Sequence, residues 1–139
     1  MRGGGRVSVN RSNRLIAASA VTMLFSAIHI AEDVALRVYA TRFHVSLMLF
    51  GLVVAIAYAL QIVGAALAAR ASRSGFRINL GLALAWFVAA SLDHAWEVAL
   101  IPTHEYRAGL ISKVVVVGLI GGSAWWFVES LRGLKTVRN

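Results

Sequence analysis

Four apolar stretches, Leu15 to Leu36, Val45 to Ala69, Ile78 to Ile101 and Gly109 to Leu131, dominate a chain of 139 residues. Each approaches or exceeds the ~20 residues that a helix needs to cross a bilayer. Hydrocarbon offers no water to backbone polar groups, so each N–H and C=O must be paired within its own segment, and runs of this kind are helices rather than open strands. The connections are short, which makes consecutive helices antiparallel neighbours. The sequence predicts an all-α membrane protein, a four-helix transmembrane bundle over 15–131 with helices at 15–36, 45–69, 78–101 and 109–131, between basic tails at 1–14 and 132–139.

Composition agrees with lipid as the main solvent. Hydrophobic residues make up 59% of the chain and charged residues 14%, with a mean hydropathy of +0.73, whereas soluble domains carry about 25% charged residues. Cysteine is absent, which excludes disulfides, thiolate metal centres, iron–sulfur clusters and cysteine nucleophiles. Any metal would rest on imidazole and carboxylate ligands. A net charge of +8 would suggest nucleic acid in a soluble chain, but here the basic residues sit at the ends of apolar segments and build no continuous basic face. The partner they imply is the lipid bilayer, and nucleic acid is not expected.

Their distribution sets the orientation. Arg2, Arg6, Arg11, Arg14, Arg70, Arg73, Arg77, Arg132, Lys135 and Arg138 fall on one side, against Arg37, Arg42, Arg107 and Lys113 on the other. The positive-inside rule then places both termini and the middle loop in the cytoplasm of a cell-membrane protein. Trp125 and Trp126 fit an interfacial aromatic belt near the cytoplasmic end of the fourth helix. A cleaved signal peptide would also show a basic stretch before an apolar one, but the apolar run continues past His29 without a small-residue cleavage site, so the first segment reads as a retained helix.

Packing signals are fewer. Gly118, Gly121 and Gly122 in the fourth helix would let backbones approach closely, and Tyr58 and Gln61 in the second read as interhelical hydrogen-bond partners. Ala31-Glu32-Asp33-Val34-Ala35-Leu36 resembles Ala95-Trp96-Glu97-Val98-Ala99-Leu100, which suggests two tandem two-helix repeats about an axis along the membrane normal.

All four histidines (His29, His44, His94, His104) and the acids Glu32, Asp33, Asp93, Glu97 and Glu105 lie toward the non-cytoplasmic side, with Glu129 alone at the other. Charge within a membrane helix is costly and usually faces a bundle interior, a wet cavity or the interface. His29, Glu32 and Asp33 share one helix face, continued inward by Ser26 and Thr22, and Asp93, His94 and Glu97 form a similar set at comparable depth. His29, Glu32, His94 and Glu97 together would make a ligand set for a divalent transition metal. The same side chains would equally serve proton-linked or polar-substrate binding, a bis-histidine haem, or plain headgroup-level solvation and pairing with Arg37, Arg42, Arg107 and Lys113. Lys113 is a counter-ion for the acids or a snorkelling lysine.

His29-Ile-Ala-Glu32-Asp33 resembles the His-x-x-Glu-Glu signature of the HXXEE-domain membrane proteins, with Asp33 in place of the last Glu. In that family a later histidine precedes a Tyr-x-x-Gly turn into another apolar helix, and here His94 precedes Tyr106-Arg-Ala-Gly109-Leu110. The turn lacks the proline often found before that glycine. The likeness spans about Ser26 to Ile120 and implies His29, Glu32, Asp33 and His94 as key positions, but no reaction, since the family has no assigned activity.

The sequence reading is thus an integral membrane protein with a His/carboxylate cluster, formed by His29, Glu32, Asp33, Asp93, His94 and Glu97, that serves metal- or proton-linked binding near the outer surface. An accessory or assembly subunit of a larger membrane complex, or a small oligomeric transporter, is the alternative. No motif names a reaction, so catalysis is neither assigned nor denied.

Overall fold

A computed structural model describes residues 4–107 and 109–137, with side chains from residue 10 onward. Arg2 and Arg138 of the basic flanks lie outside the described residues, as does the side chain of Arg6. Helices α1 (Gly4–Ala35), α2 (Val38–Thr41), α3 (Leu47–Ala69), α4 (Arg73–Leu100) and α5 (Leu110–Thr136) follow one another, with a 3₁₀ turn at Thr103–Glu105. Among the described residues there is no strand. Four helices, α1 from Asn10 onward, α3, α4 and α5, are long and apolar enough to cross a membrane.

The helices overrun their apolar segments. α1 starts eleven residues before Leu15, α4 at Arg73 and α5 ends at Thr136, because Arg and Lys are good helix formers and no proline interrupts the basic flanks. They stop for local reasons. Arg37 (φ 57°) closes α1, and Ala71 (φ 55°) closes α3 with Ala71 N–H donating to Ala68 O at 2.9 Å and Ser72 N–H to Leu67 O at 3.0 Å, a left-handed helix ending. Ile101 is extended (ψ 127°) before Pro102, as a residue preceding proline prefers. Ser46 opens α3 by accepting from Leu49 N–H at 3.2 Å.

The two ends of the bundle differ chemically. At the basic end Arg11 donates to Arg132 O (3.0 Å), Ser12 to Ala68 O (2.8 Å), and the buried Glu129 pairs with Arg132 (2.9 Å) and Arg14 (3.8 Å). The start of α1, the end of α5 and the α3–α4 turn therefore share one end, and the α1–α3 and α4–α5 connections, with every other acid, share the opposite one.

α5 packs extensively against both α1 and α4, while α3 lies on α4 and more lightly on α1. α1 buries Ser12, Leu15, Ser19, Thr22, Ser26, His29 and Asp33, spaced three and four apart on one stripe. The buried set holds more polar than apolar residues, and large apolar side chains such as Met48, Leu52 and Ile62 are exposed. Such an arrangement suits lipid, where close contact and interhelical hydrogen bonds, not apolar burial, drive association. Tyr58 OH meets Ser26 Oγ at 3.0 Å, and Gln61 Nε2 donates to Ser19 O (2.8 Å) and Oγ (2.9 Å), as expected.

Two expectations are corrected. Trp126 is fully buried and donates from Nε1 to Asn79 Oδ1 at 3.0 Å, tying α5 to α4; only Trp125 faces outward. Of the three glycines, Gly118 and Gly122 meet Phe25 and Thr22 of α1, whereas Gly121 faces open space.

The closest approach of a glycine to another backbone is one the glycine pattern did not single out: a Cβ on Gly75 would stand 2.3 Å from Ala68 N across the α3–α4 hairpin. Gly75→Ala must part these backbones, and overpacking of this kind costs about 1–3 kcal/mol. The expected result is a lower unfolding midpoint in detergent for Gly75→Ala beside an unchanged Gly121→Ala; equal midpoints would refute the close hairpin.

Candidate functional site

His29, near the end of α1, and His94, near the end of α4, turn their rings toward each other until the two Nε2 atoms are 3.0 Å apart, with ring planes at 89°. Both are buried, at 6% and 1% exposure. At that separation two N–H groups would repel and so would two bare lone pairs, so a single proton lies between the Nε2 atoms. His94 Nδ1 is 3.1 Å from Glu97 Oε2. A carboxylate can only accept, hence His94 carries a proton on Nδ1 for Glu97; Asp93 Oδ2, 2.9 Å from His94 Nε2, also only accepts, so the shared proton moves to His94 Nε2 when the pair is charged and rests on His29 Nε2 when the pair is neutral. That leaves His29 Nδ1 bare, and it has no hydrogen-bond partner among the described residues. It is the one nitrogen of the pair that can take up a further proton.

Carboxylates surround the rings. Asp33 Oδ2 lies 3.4 Å from His29 Nε2, and Asp93 Oδ2 lies 2.9 Å from His94 Nε2. Their other oxygens are held from the connecting segments: Arg107 donates to Asp33 Oδ1 at 2.6 Å, and Arg42 reaches Asp93 Oδ1 at 2.6 Å and Glu97 Oε1 at 3.5 Å. Burial disfavours the Arg107 cation, but the bond to Asp33 and the neighbouring carboxylates outweigh it, so its pKa moves up and it stays charged. Burial also pushes the Tyr106 phenol up, so it keeps its proton.

Glu32 turns away from the rings and accepts from Ser112 Oγ of α5 at 2.8 Å, and its Oε1 has no hydrogen-bond partner among the described residues. Lys113 makes no ion pair with an acid among the described residues. Its Nζ donates to Val98 O at 3.1 Å and to Ile101 O, capping the carbonyl end of α4, where a cation is favoured. His44 and His104 are exposed and stand outside the cluster.

The proposed metal set of His29, Glu32, His94 and Glu97 does not converge. Both nitrogens of His94 are engaged, Glu97 approaches on the Nδ1 side away from His29, and Glu32 is held by α5. Among the described residues no three His, Asp or Glu side chains are arranged to hold a metal ion.

The likeness between the halves acquires a different register. His29 meets His94, and His29, Glu32 and Arg42 each recur 65 positions later as His94, Glu97 and Arg107, whereas the apolar match of Ala31–Leu36 with Ala95–Leu100 runs one position short of that. Arg42 crosses to the acids of α4 while Arg107 crosses to Asp33 of α1, a reciprocal exchange with the imidazole contact at its centre.

Below the pair lies a cavity of about 450 Å³, within the size range of small-molecule sites. His29, Asp33, Asp93 and His94 are its polar wall; Phe50, Val54 and Trp86 are among its apolar walls. Its rim includes Phe43, Val53 and Leu92, which are 47%, 59% and 77% exposed, so the opening is apolar and faces the helix surface. Spacing on α1 and α4 identified the polar wall beforehand. Ser112 and the cavity carried no signal, and Tyr106 only that of the Tyr106-x-x-Gly109 turn, because they depend on which face of α5 and which turn of the connection reach the cluster. No family model, curated protein or solved structure matches the chain.

Proposed function

We propose that this multi-pass membrane protein carries a proton-linked binding site for a bilayer-dissolved small molecule, whose polar end meets the His29–His94 pair and whose apolar part fills the cavity beneath. The observation that carries this reading is the buried 3.0 Å contact between the Nε2 atoms. Two buried imidazoles that share one proton form a unit able to gain or lose a single charge where the surroundings are fixed. Glu97 and Asp93 hold His94, Asp33 stands beside His29, and the exposed apolar rim supports entry from the acyl-chain layer. With the basic end in the cytoplasm, as the positive-inside rule has it, the site lies toward the outer surface of a cell membrane. On its His29-x-x-Glu32-Asp33 run the chain is placed, in this reading, beside the HXXEE-domain proteins.

Imidazole nitrogen resonances of the detergent-purified protein test it. His29 and His94 should change together and take up one proton between them, and His29→Gln should abolish the joint transition. Two independent, ordinary titrations at His29 and His94 would sink the proposal.

A further inference from the structure

We infer that the ligand of this site is a lipophilic organic cation that competes with the proton for the histidine pair; this rests on the proton-linked reading above and names the class of molecule it serves. The first argument is charge. Glu32, Asp33, Asp93 and Glu97 share this end of the bundle with Arg42 and Arg107, which pair with them, and with Lys113, which caps α4, while the exposed Arg37 and Glu105 cancel; four carboxylates thus stand against three cations, and with neutral imidazoles one negative charge is left over. α3 packs against the site with no acid, base or histidine, its nearest titratable group being Tyr58, bonded to Ser26. One proton on the imidazole pair cancels the excess, and so does one cation in the cavity. Both together overshoot it. Each therefore weakens the other.

The second argument is the lining. Neither Arg42 nor Arg107 nor Lys113 lines the cavity, whose only charged residues are Asp33 and Asp93. The arginines take one oxygen of each, Oδ1, and the Oδ2 atoms turn to the rings. A ligand in the cavity thus meets carboxylates and no fixed cation, which repels an anion. Phe43, Phe50 and Trp86 supply aromatic faces, and aromatic faces attract organic cations, most strongly out of water. A small hydrated ion would gain nothing from those walls. A cation with an apolar body would.

Exchange follows as simple accounting of charge: the cation enters through the apolar rim, the additional proton leaves His29 Nδ1 for solvent, and the site keeps the same net charge. The probe pair for the test is tetraphenylphosphonium and tetraphenylborate, of one shape and opposite charge, added to the full chain in detergent. Phosphonium should shift the indole N–H resonance of Trp86 more than those of Trp96 and Trp125, which face the micelle. Calorimetry in two buffers of different ionisation enthalpy, at a pH below the midpoint of the pair, should show about one proton released per cation bound, and affinity should fall about tenfold per pH unit there. Borate should leave Trp86 unmoved. Absence of phosphonium binding, binding without proton release, or equal binding of borate would each overturn the inference. The wild-type measurement needs no folded variant, and the histidine titration needs no ligand. If that titration still shows one shared proton, a failure here condemns the cation alone; if it does not, both readings fall.

Discussion

Arg107→Ala destabilises the bundle by about 3–5 kcal/mol, the usual cost of removing one partner of a buried ion pair. The Arg107 and Asp33 side chains are 14% and 8% exposed and 2.6 Å apart, so the variant leaves a carboxylate with little access to water beside an imidazole. The loss should be largely recovered in the double variant Arg107→Ala/Asp33→Asn, because a neutral amide needs no counter-charge, and the difference between single and double variants isolates the pair. Unfolding in a denaturing detergent titration, followed by helical signal, provides the measurement. The pH dependence is specific. The raised pKa of Arg107 keeps it protonated at any pH from 5 to 9, so its contribution is fully present there and is lost only in strong alkali. A fall of under about 1 kcal/mol, the size of an exposed pair, would mean that Arg107 does not hold Asp33 in the folded protein.

The second large effect is at the other end of the bundle. Trp126→Ala is expected to cost about 3–5 kcal/mol, as large-to-small changes at buried aromatics do. Trp126 is fully buried beside Leu15, Ala18, Phe76 and Ala83, and its loss also strands Asn79 Oδ1, whose own amide donates to Gly75 O at 2.8 Å. Trp126→Phe keeps most of the volume but removes the indole donor, so it separates packing from the hydrogen bond and should lose about 1–3 kcal/mol. Trp125→Ala, at an outward-facing position, should stay within about 0.5 kcal/mol of the wild type. If both tryptophan variants behave alike, the difference between the two faces of α5 is wrong.

These neighbouring tryptophans illustrate what a linear reading misses. An interfacial belt was a sound expectation for Trp125 and Trp126 together, yet the two side chains point about 100° apart on a helix, and only one can face lipid. Gly118, Gly121 and Gly122 repeat the lesson, since Gly121 lies off the α1 contact. Lys113 was read as a partner for acids or headgroups; the carbonyls it caps at the end of α4 went unread, because only the path of the α4–α5 turn folds Val98 O and Ile101 O back over it. The metal set failed for a related reason. Spacing put His29 and Glu32 on one side of α1, but Ser112 on α5 drew Glu32 away and Glu97 took the far nitrogen of His94.

From residue types alone came the four spanning helices, the separation of a basic end from an acidic one, and the six polar residues of the outer cluster. Those follow from local causes: a run of apolar side chains in hydrocarbon has to satisfy its own backbone, and charges are tolerated only near helix ends or inside. Tertiary structure alone decided that His29 touches His94, that Arg42 and Arg107 cross over to the opposite helices, and that a cavity opens beneath them. These depend on the rotation of each helix about its axis and on the paths of two short connections, and in a chain that is apolar on nearly every face, periodicity is too weak to dictate either.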